Sequence, residues 1–191
     1  MKTILITGAA GFIGYHLTKR IINKKFKFLL LDNLIRGKKD KLFKNLIKNK
    51  NVKFLNKDLT KPFEINEKKI DYVFHLSARL GVKNVISNPE KTFNENIKML
   101  LNTINAVKKY NKKTKFVFFS TSEVYSPAIK EKIANFPLKE DTLLYISKKN
   151  SPRDSYYISK LLGEKIVEFS GLEYLILRPH NIYGPRMGFS H

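Results

Sequence analysis

Two short motifs near opposite ends of the chain contain the residue types that redox chemistry on a hydroxyl group needs. Gly8, Gly11 and Gly14 follow an apolar run at the N-terminus, and Tyr156 precedes Lys160 by four residues. A phenol can exchange a proton with a hydroxyl group, and a nearby ammonium stabilises the phenolate. Residues four apart lie on one face of a helix. We therefore expect a dinucleotide site at the first motif and an acid/base pair at the second.

The glycine motif is typical of a turn that binds a pyrophosphate. Glycines allow close approach of the backbone, and the N-terminus of the following helix offers free N–H groups and the positive end of a dipole. Its spacing, G-x-x-G-x-x-G, is one residue longer than the G-x-G-x-x-G dehydrogenase pattern. A tight turn without a ligand is the alternative that the motif alone leaves open.

Acidic residues at the ends of the next two predicted strands fit the adenosine part of such a cofactor. Asp32 ends the second strand, where a carboxylate accepts hydrogen bonds from ribose hydroxyls and repels a 2′-phosphate. This predicts NAD rather than NADP, although Arg36 would weaken the preference. Asp58, followed by Leu59, would contact the adenine edge, or else it caps a surface turn.

Composition limits the other classes of function. With 191 residues, 42% of them hydrophobic, the chain can form one domain with a substantial core. The absence of Cys excludes disulfides, thiolate metal sites and a Cys nucleophile, and the four His have no ligand spacing, so we expect no metal site. We find no signal-peptide pattern and no run of about 18 apolar residues, which predicts a cytoplasmic protein without a membrane span.

The net charge of +21 raises nucleic-acid binding as an alternative. Only six of the 37 Lys and Arg are Arg, whereas specific recognition of phosphates and bases favours guanidinium groups. The Lys residues are also scattered along the chain among many Asn, Ile and Phe. We interpret this mix as codon bias and do not expect a nucleic-acid partner.

Short apolar runs alternate with amphipathic segments, which predicts βαβ units on a doubly wound parallel sheet of the Rossmann type. Strands are predicted near 3–7, 26–31, 52–56, 72–76, 115–120 and 174–177. Helices are predicted near 12–23, 38–49, 89–110 and 153–169, with a weak one near 65–69. The loop from Ser126 to Pro152 is unusually long and is expected to border the substrate site. The helices 89–110 and 153–169 are apolar enough either for core packing alone or for a homodimer interface.

The chain resembles the extended short-chain dehydrogenase/reductase family, specifically its NAD-dependent nucleotide-sugar epimerases, dehydratases and decarboxylases. The resemblance spans nearly the whole chain in family order. Its motifs are Thr7-Gly-Ala-Ala-Gly-Phe-Ile-Gly14, Asp32-Asn33, Asp58-Leu59, His75-Leu-Ser-Ala78, Asn88-Pro89 with Asn96, Ser120-Thr-Ser-Glu-Val-Tyr125, Tyr156-x-x-x-Lys160 and Arg178-Pro-His-Asn-Ile-Tyr-Gly-Pro185.

The resemblance implies a role for each matching residue. Tyr156 would be the acid/base, Lys160 would lower its pKa and bind the nicotinamide ribose, and Ser122 would bind the reacting sugar oxygen. Asn181 and Arg186 would approach the substrate phosphates. NAD contacts are implied for Gly8, Gly11, Phe12, Ile13, Gly14, Asp32, Asn33, Asp58, Leu59, Leu76, Ala78, Asn96 and Lys160.

Glu123 bears on the reaction outcome. By the resemblance, Thr121-Ser122-Glu123 is closest to the pattern of UDP-glucuronate-type decarboxylases, in which an acid here assists the second chemical step. A Glu that merely hydrogen-bonds the following loop is the alternative. The expected function is therefore an epimerase or dehydratase acting through a transient 4-keto sugar, with a decarboxylase or a non-catalytic NAD-binding module as the alternatives.

Two departures from the family pattern matter. Ser126 stands where the family commonly has Gly, and family members are much longer than this chain. We therefore expect a fragment, with an NAD-binding domain at 1–180, the start of a substrate-binding region at 181–191, and the rest of that region missing.

Overall fold

The structure of the chain is a computed structural model that describes residues 1–23, 25–67, 69–110, 113–149 and 151–187. Six parallel strands form one sheet in the order β3-β2-β1-β4-β5-β6. This order reverses direction between β1 and β4, which places a crevice at the carboxyl ends of those two strands. The predicted doubly wound fold is confirmed. The strands are β1 (Lys2–Thr7), β2 (Phe26–Asp32), β3 (Val52–Asn56), β4 (Tyr72–His75), β5 (Lys115–Phe119) and β6 (Glu173–Leu177).

In the part of the chain that the structure describes, six α-helices connect the strands, and the four strongly predicted ones are all present with somewhat shorter bounds. None of the helices in the described ranges is long and apolar enough to cross a membrane. Helices α4 and α6 lie against each other. The helices are α1 (Phe12–Ile21), α2 (Lys41–Ile47), α3 (Val82–Ser87), α4 (Pro89–Lys108), α5 (Ser126–Lys130) and α6 (Asp154–Glu168).

The central strands β1 and β2 bury side chains on both faces of the sheet, as helices on both sides require. In β1 and β2, neighbouring residues alternate between two separate clusters. Leu5 and Leu29 belong to the cluster that includes residues of α4 and α6. Ile6 and Leu30 belong to the cluster that includes residues of α1 and α2. The sheet is therefore the middle of three layers and fixes where each loop emerges.

The weak helix predicted near 65–69 is wrong for its described part. Residues 65–67 are not helical, the only backbone hydrogen bond found there closes a tight turn from Glu67 N–H to the carbonyl oxygen of Ile65, and residue 68 lies outside the described ranges. Ile65 and Ile70 are both fully buried. Five residues apart, they anchor an irregular connection in the core and do not match a helical repeat.

Two short helices that the sequence did not predict flank the site. Helix α3 follows Gly81, whose φ of 103° favours glycine, and it buries only Val85, which explains its weak apolar pattern. Helix α5 occupies the start of the predicted 126–152 loop. Pro127 in its first turn suits a helix start, and Ala128 is buried. The long loop is thus partly helical, and its residue 150 lies outside the described part.

The segment after β6 returns across the carboxyl edge of the sheet towards α1. The imidazole Nε2 of His16 lies 2.8 Å from the carbonyl oxygen of Pro185, and Arg186 forms an ion pair with Asp40. Residues 188–191 of the predicted second region lie outside the described residues. The predicted division at residue 180 stays a prediction.

Candidate active site

The β1–α1 turn is compact because its glycines approach other backbone groups closely. Gly8 has φ 66°, and a Cβ there would lie 3.0 Å from the amide nitrogen of Ser77. A Cβ at Gly14 would lie 2.4 Å from the carbonyl oxygen of Gly8. A side chain at Gly8 would collide with the backbone that follows β4, and a side chain at Gly14 would displace α1 from the turn. The arrangement fits a dinucleotide pyrophosphate, because a ligand at this turn would contact backbone groups and the start of α1.

Phe12 and Ile13 open α1 beside this turn and are both partly exposed. No side chain caps the start of α1 among the described contacts, and Gly11 occupies the cap position in an extended conformation. The first turn of a helix has N–H groups without partners in the helix. These groups are therefore placed at the turn, as the sequence predicted.

Asp32, at the end of β2, fixes the turn from the second strand. Its Oδ2 accepts from the N–H of Ala10 at 3.0 Å, and its Oδ1 accepts from the N–H of Leu34 at 2.7 Å. Burial raises the pKa of Asp32, and the two backbone donors partly oppose that shift. Each carboxylate oxygen has a further lone pair, so the group can also accept from a ribose hydroxyl. Asn33 is bonded locally, with its Oδ1 accepting from the N–H of Ile35.

Asp58 caps the turn after β3. Its Oδ1 accepts from the hydroxyl of Thr60 at 2.8 Å and from the N–H of Thr60 at 3.0 Å. The hydroxyl bond is the main reason that the pKa of Asp58 is lowered. Leu59 is buried. The turn-capping alternative thus describes the contacts of Asp58 here, and its contact with adenine stays a prediction.

The loop after β4 is held against α4 and α6. The hydroxyl of Thr7 accepts from the N–H groups of Leu76 and Ser77, both at 3.2 Å. The amide of Asn96 contacts both the N–H and the carbonyl oxygen of Arg79, and donates to the hydroxyl of Ser159 at 3.0 Å. Asn96 therefore supports the loop that carries Leu76 and Ala78 and connects it to α6.

Tyr156 lies in the first turn of α6, beside the residues that follow β5. Its pKa is raised to about 12, mainly because of burial and also because of the charge of Glu123. The charge of Arg36 and a side-chain hydrogen bond with Thr121 act in the lowering direction. In the free chain the phenol is thus neutral, opposite to the lowered pKa that the family resemblance implies.

Thr121, the neighbour of the predicted sugar-binding Ser122, is the hydrogen-bond partner of Tyr156. Thr121 is buried, and its hydroxyl also accepts from the N–H of Glu123 at 3.2 Å. Ser122 begins a 3₁₀ turn, and its N–H donates to the carbonyl oxygen of Pro179. Both hydroxyl groups follow β5, so only side-chain contacts could distinguish them. The role of Ser122 with the sugar oxygen stays a prediction.

Lys160 is buried one helical turn after Tyr156. Its Nζ donates to the carbonyl oxygen of Phe119 at 2.6 Å and lies 6.0 Å from the centroid of the Tyr156 ring. Burial lowers the pKa of Lys160 to about 8, with the charge of Glu164 acting in the opposite direction. His75 is fully buried between Phe116 and Phe118, and its pKa falls to about 3, which leaves it neutral.

Glu123, in the 3₁₀ turn after β5, is partly exposed. Its Oε1 lies 3.9 Å from Nη2 of Arg153, a loose ion pair between half-exposed side chains. The carboxylate is close enough to Tyr156 to raise the pKa of the phenol. The charge of Glu123 therefore acts on Tyr156, and its carboxylate also pairs with Arg153 just before α6.

A buried ion pair that the sequence did not predict joins α6 to the end of β6. Glu164 accepts from Arg178 at 3.0 Å (Nε) and 2.8 Å (Nη2), and from the hydroxyl of Ser120 at 2.5 Å. Arg178 also donates to the hydroxyl of Tyr125 at 2.7 Å. The alternation of Glu and Lys on α6 resembles an exposed face, so only the fold reveals that Glu164 points inwards.

The two residues predicted to approach the substrate phosphates lie apart. Asn181 is exposed after β6. The guanidinium of Arg186 contacts Asp40, the carbonyl oxygen of Ala10 and the ring of Tyr15 on the nucleotide side. Contact of either residue with a substrate phosphate stays a prediction.

Known proteins match nearly the whole chain. A putative UDP-glucose 4-epimerase from Methanocaldococcus jannaschii is 30% identical over 96% of the chain and 57% of its own length. A UDP-N-acetyl-alpha-D-glucosaminuronate decarboxylase from Bacillus cytotoxicus is 34% identical over 97% of the chain and 56% of its own length. The chain thus spans little more than half of these curated relatives.

The structure of a UDP-glucose 4-epimerase with UDP-glucose, from Thermotoga maritima, superposes on the chain with a TM-score of 0.78. It is 32% identical, and the match covers 99% of this chain and 60% of that one. The model of the NAD dependent epimerase/dehydratase family matches residues 4–191. With the dinucleotide turn and the Tyr156 and Lys160 pair both in place, the chain belongs to the NAD dependent epimerase/dehydratase family.

Proposed function

We propose that the protein is an NAD-dependent nucleotide-sugar epimerase or dehydratase that acts through a transient 4-keto sugar. The observation that carries the proposal is the meeting of Tyr156, Thr121 and Lys160 at the carboxyl end of β5. The dinucleotide turn lies two strands away at the same edge of the sheet. An acid/base group and a cofactor cradle therefore open onto one crevice.

The residues of the chain have separate tasks in this proposal. Tyr156 takes the proton of the sugar 4-hydroxyl, and Thr121 and Ser122 orient the reacting oxygen. Lys160 adds positive charge near the carbonyl oxygen of Phe119, whereas the buried His75 is neutral and adds none. Gly8–Gly14, with Asp32 on the ribose hydroxyls, would hold NAD.

NAD, when bound, supplies a hydride acceptor for the sugar C4 and a positive charge that favours the phenolate form of Tyr156. Removal of the proton and of the hydride leaves a ketone, which acidifies the neighbouring C–H bond. The residues around that ketone then decide between epimerisation and elimination.

A decarboxylase is the second candidate, and Glu123 is the observation that favours it. Its carboxylate is close to Tyr156 and paired with Arg153, so an acid is available beside the reacting sugar. A decarboxylase is also among the 34% identical relatives. A 4-keto group would promote loss of a C5 carboxylate as CO₂ in the same site.

Three further expectations accompany the proposal. Exposed leucines on α4 and α6, Leu101 and Leu162, support a homodimer through these helices. A cytoplasmic location and the absence of a nucleic-acid partner are proposed as well. A non-catalytic NAD-binding module is the alternative, although the shared presence of Thr121, Tyr156 and Lys160 favours an enzyme.

The test is turnover of the full-length protein with UDP-hexoses and UDP-hexuronates, with sugar products and released CO₂ both measured. Tyr156→Phe should lose at least about 100-fold in kcat because the proton has no acceptor. Tyr157→Phe is the matched control, since this neighbouring phenol is buried on the same helix. Full turnover by Tyr156→Phe would contradict the proposal, and CO₂ release would select the decarboxylase.

A further inference from the structure

Arg186 is in the segment after β6, yet its guanidinium is buried against the nucleotide end of the molecule. Its side chain is 7% exposed. Nη1 forms an ion pair with Asp40, and Nη2 lies 3.2 Å from the carbonyl oxygens of both Ala10 and Lys38. One side chain therefore joins the end of the chain to the β1–α1 turn and to the loop before α2.

The backbone of Ala10 is held at both its N–H and its carbonyl oxygen, which belong to consecutive peptide groups. Its N–H donates to Asp32 at 3.0 Å, and its carbonyl oxygen accepts from Arg186 and from the N–H of Lys38 at 3.2 Å. Ala10 is in the middle of the glycine turn, directly before Gly11. The direction of this peptide sets the path of the backbone into α1, where the free N–H groups are.

The same guanidinium also supports α1 itself. It lies over the ring of Tyr15 at 4.2 Å from the centroid, and Tyr15 is buried in the first turns of α1. Asp40, its charged partner, caps α2 by accepting from the N–H of Phe43 at 2.9 Å. Arg186 thus contacts α1, the cap residue of α2 and the turn between β1 and α1.

We propose that Arg186 is a positioning residue for the dinucleotide turn. It fixes the Ala10 peptide and the start of α1 in the arrangement that accepts the pyrophosphate, without touching the cofactor. This role rests on the NAD site of the proposed function. Lysine would keep the charge but has a single nitrogen, so it cannot hold one carboxylate and two carbonyl oxygens in one plane.

The first test is ligand binding by the 191-residue chain. Arg186→Lys is expected to weaken the Kd for NAD and for ADP-ribose about tenfold. The Kd for adenosine, which lacks the pyrophosphate, should stay within about twofold, because a local change at the turn leaves the adenosine contacts in place. Arg20→Lys, on the exposed end of α1, is the matched control and should change neither.

The second test needs no ligand. Amide hydrogen exchange of Ala10 should be faster in Arg186→Lys, because Arg186 anchors the adjoining peptide group through the carbonyl oxygen of the same residue. Asp40→Ser gives an independent variant, since serine can still cap α2 but cannot pair with Arg186. It should weaken NAD binding in the same direction, and combining it with Arg186→Lys should add little.

The outcomes separate this role from the proposed function. Equal losses for adenosine and NAD, unchanged NAD binding, or unchanged exchange at Ala10 would each overturn the positioning role. A chain that binds neither NAD nor ADP-ribose overturns it too, together with the NAD site. If Arg186→Lys selectively loses NAD binding and the protein has no sugar turnover, the positioning role of Arg186 is supported and only the proposed reaction is rejected.

Discussion

The Nζ of Lys160 donates to the carbonyl oxygen of Phe119 at 2.6 Å, at the last residue of β5. This bond ties the second turn of α6 to the strand that leads into Thr121. The ammonium is held in a site that burial makes unfavourable for charge, which is why its pKa falls to about 8. The position of the charge near Tyr156 is thus maintained against a desolvation penalty.

The first prediction is that this penalty can be measured as a pH dependence of stability. The folded pKa of Lys160, about 8, is below the 10.5 of the unfolded chain. The unfolded state therefore binds more protons between these values, and folding becomes more favourable as the pH rises through them. Relative to Lys160→Met, the wild-type chain should gain about 2–3 kcal/mol between pH 7 and pH 10.

Chemical denaturation at several pH values measures this gain. Lys165→Met is the matched control, because Lys165 is exposed on the same helix and pairs with Glu168. Its difference from wild type should stay nearly constant over the same range. Above pH 10 Tyr156 acts in the opposite direction, since its folded pKa is raised to about 12, so the comparison ends there. A flat Lys160 difference would contradict the buried-charge interpretation.

The second prediction concerns the contact between α1 and the turn. Gly14→Ala would place a Cβ at 2.4 Å from the carbonyl oxygen of Gly8, so the helix must shift. We expect a loss of about 2 kcal/mol or more in the free energy of unfolding, and weaker NAD binding. Gly171→Asn is the control: its φ of 74° suits Asn, and a Cβ there meets nothing within 4 Å. Normal stability and NAD affinity in Gly14→Ala would show that the turn tolerates a side chain.

The sequence predicted those parts of the molecule whose signal is local. The apolar runs of β1 to β6 and the glycine spacing depend on neighbours in the chain, so their positions were confirmed to within a few residues. The contacts of Glu164 and Arg186 depend on segments that are distant in sequence. A charged residue on a helix or in a tail has the same local pattern whether it is exposed or paired in the interior, so no periodicity could reveal them.

The raised pKa of Tyr156 is a similar case. The Tyr156 and Lys160 spacing predicts a shared helix face, which α6 confirms. The direction of the pKa shift depends on burial and on Glu123, and these are properties of the fold. The four-residue spacing alone therefore identified the pair but not its protonation state in the free chain.

The third prediction is a homodimer through α4 and α6. Leu101 is 39% exposed and Leu162 is 41% exposed, which is costly for large apolar side chains unless another surface covers them. Sedimentation of the wild-type chain should show a dimer, and the double variant Leu101→Glu with Leu162→Glu should be monomeric. Leu143→Glu, at an exposed residue outside these helices, should remain dimeric. A monomeric wild-type chain would contradict the interface.

The fourth prediction is that the Glu164 and Arg178 pair stabilises the fold around the candidate site. Glu164→Gln leaves the guanidinium of Arg178 without its carboxylate in a largely buried position, which should cost about 3 kcal/mol in the free energy of unfolding. Adding Arg178→Gln should cost less than the sum of the single changes, because the unpaired charge is then gone.

Glu168→Gln tests whether the effect belongs to this pair. Glu168 lies one turn further along α6 and bonds to the exposed Lys165, so its loss should cost less than about 1 kcal/mol. Urea denaturation of the four variants gives the coupling energy directly. Additive losses for Glu164 and Arg178 would mean that the two side chains stabilise the chain independently. The bidentate contact would then not be what holds α6, and with it Tyr156 and Lys160, to the end of β6.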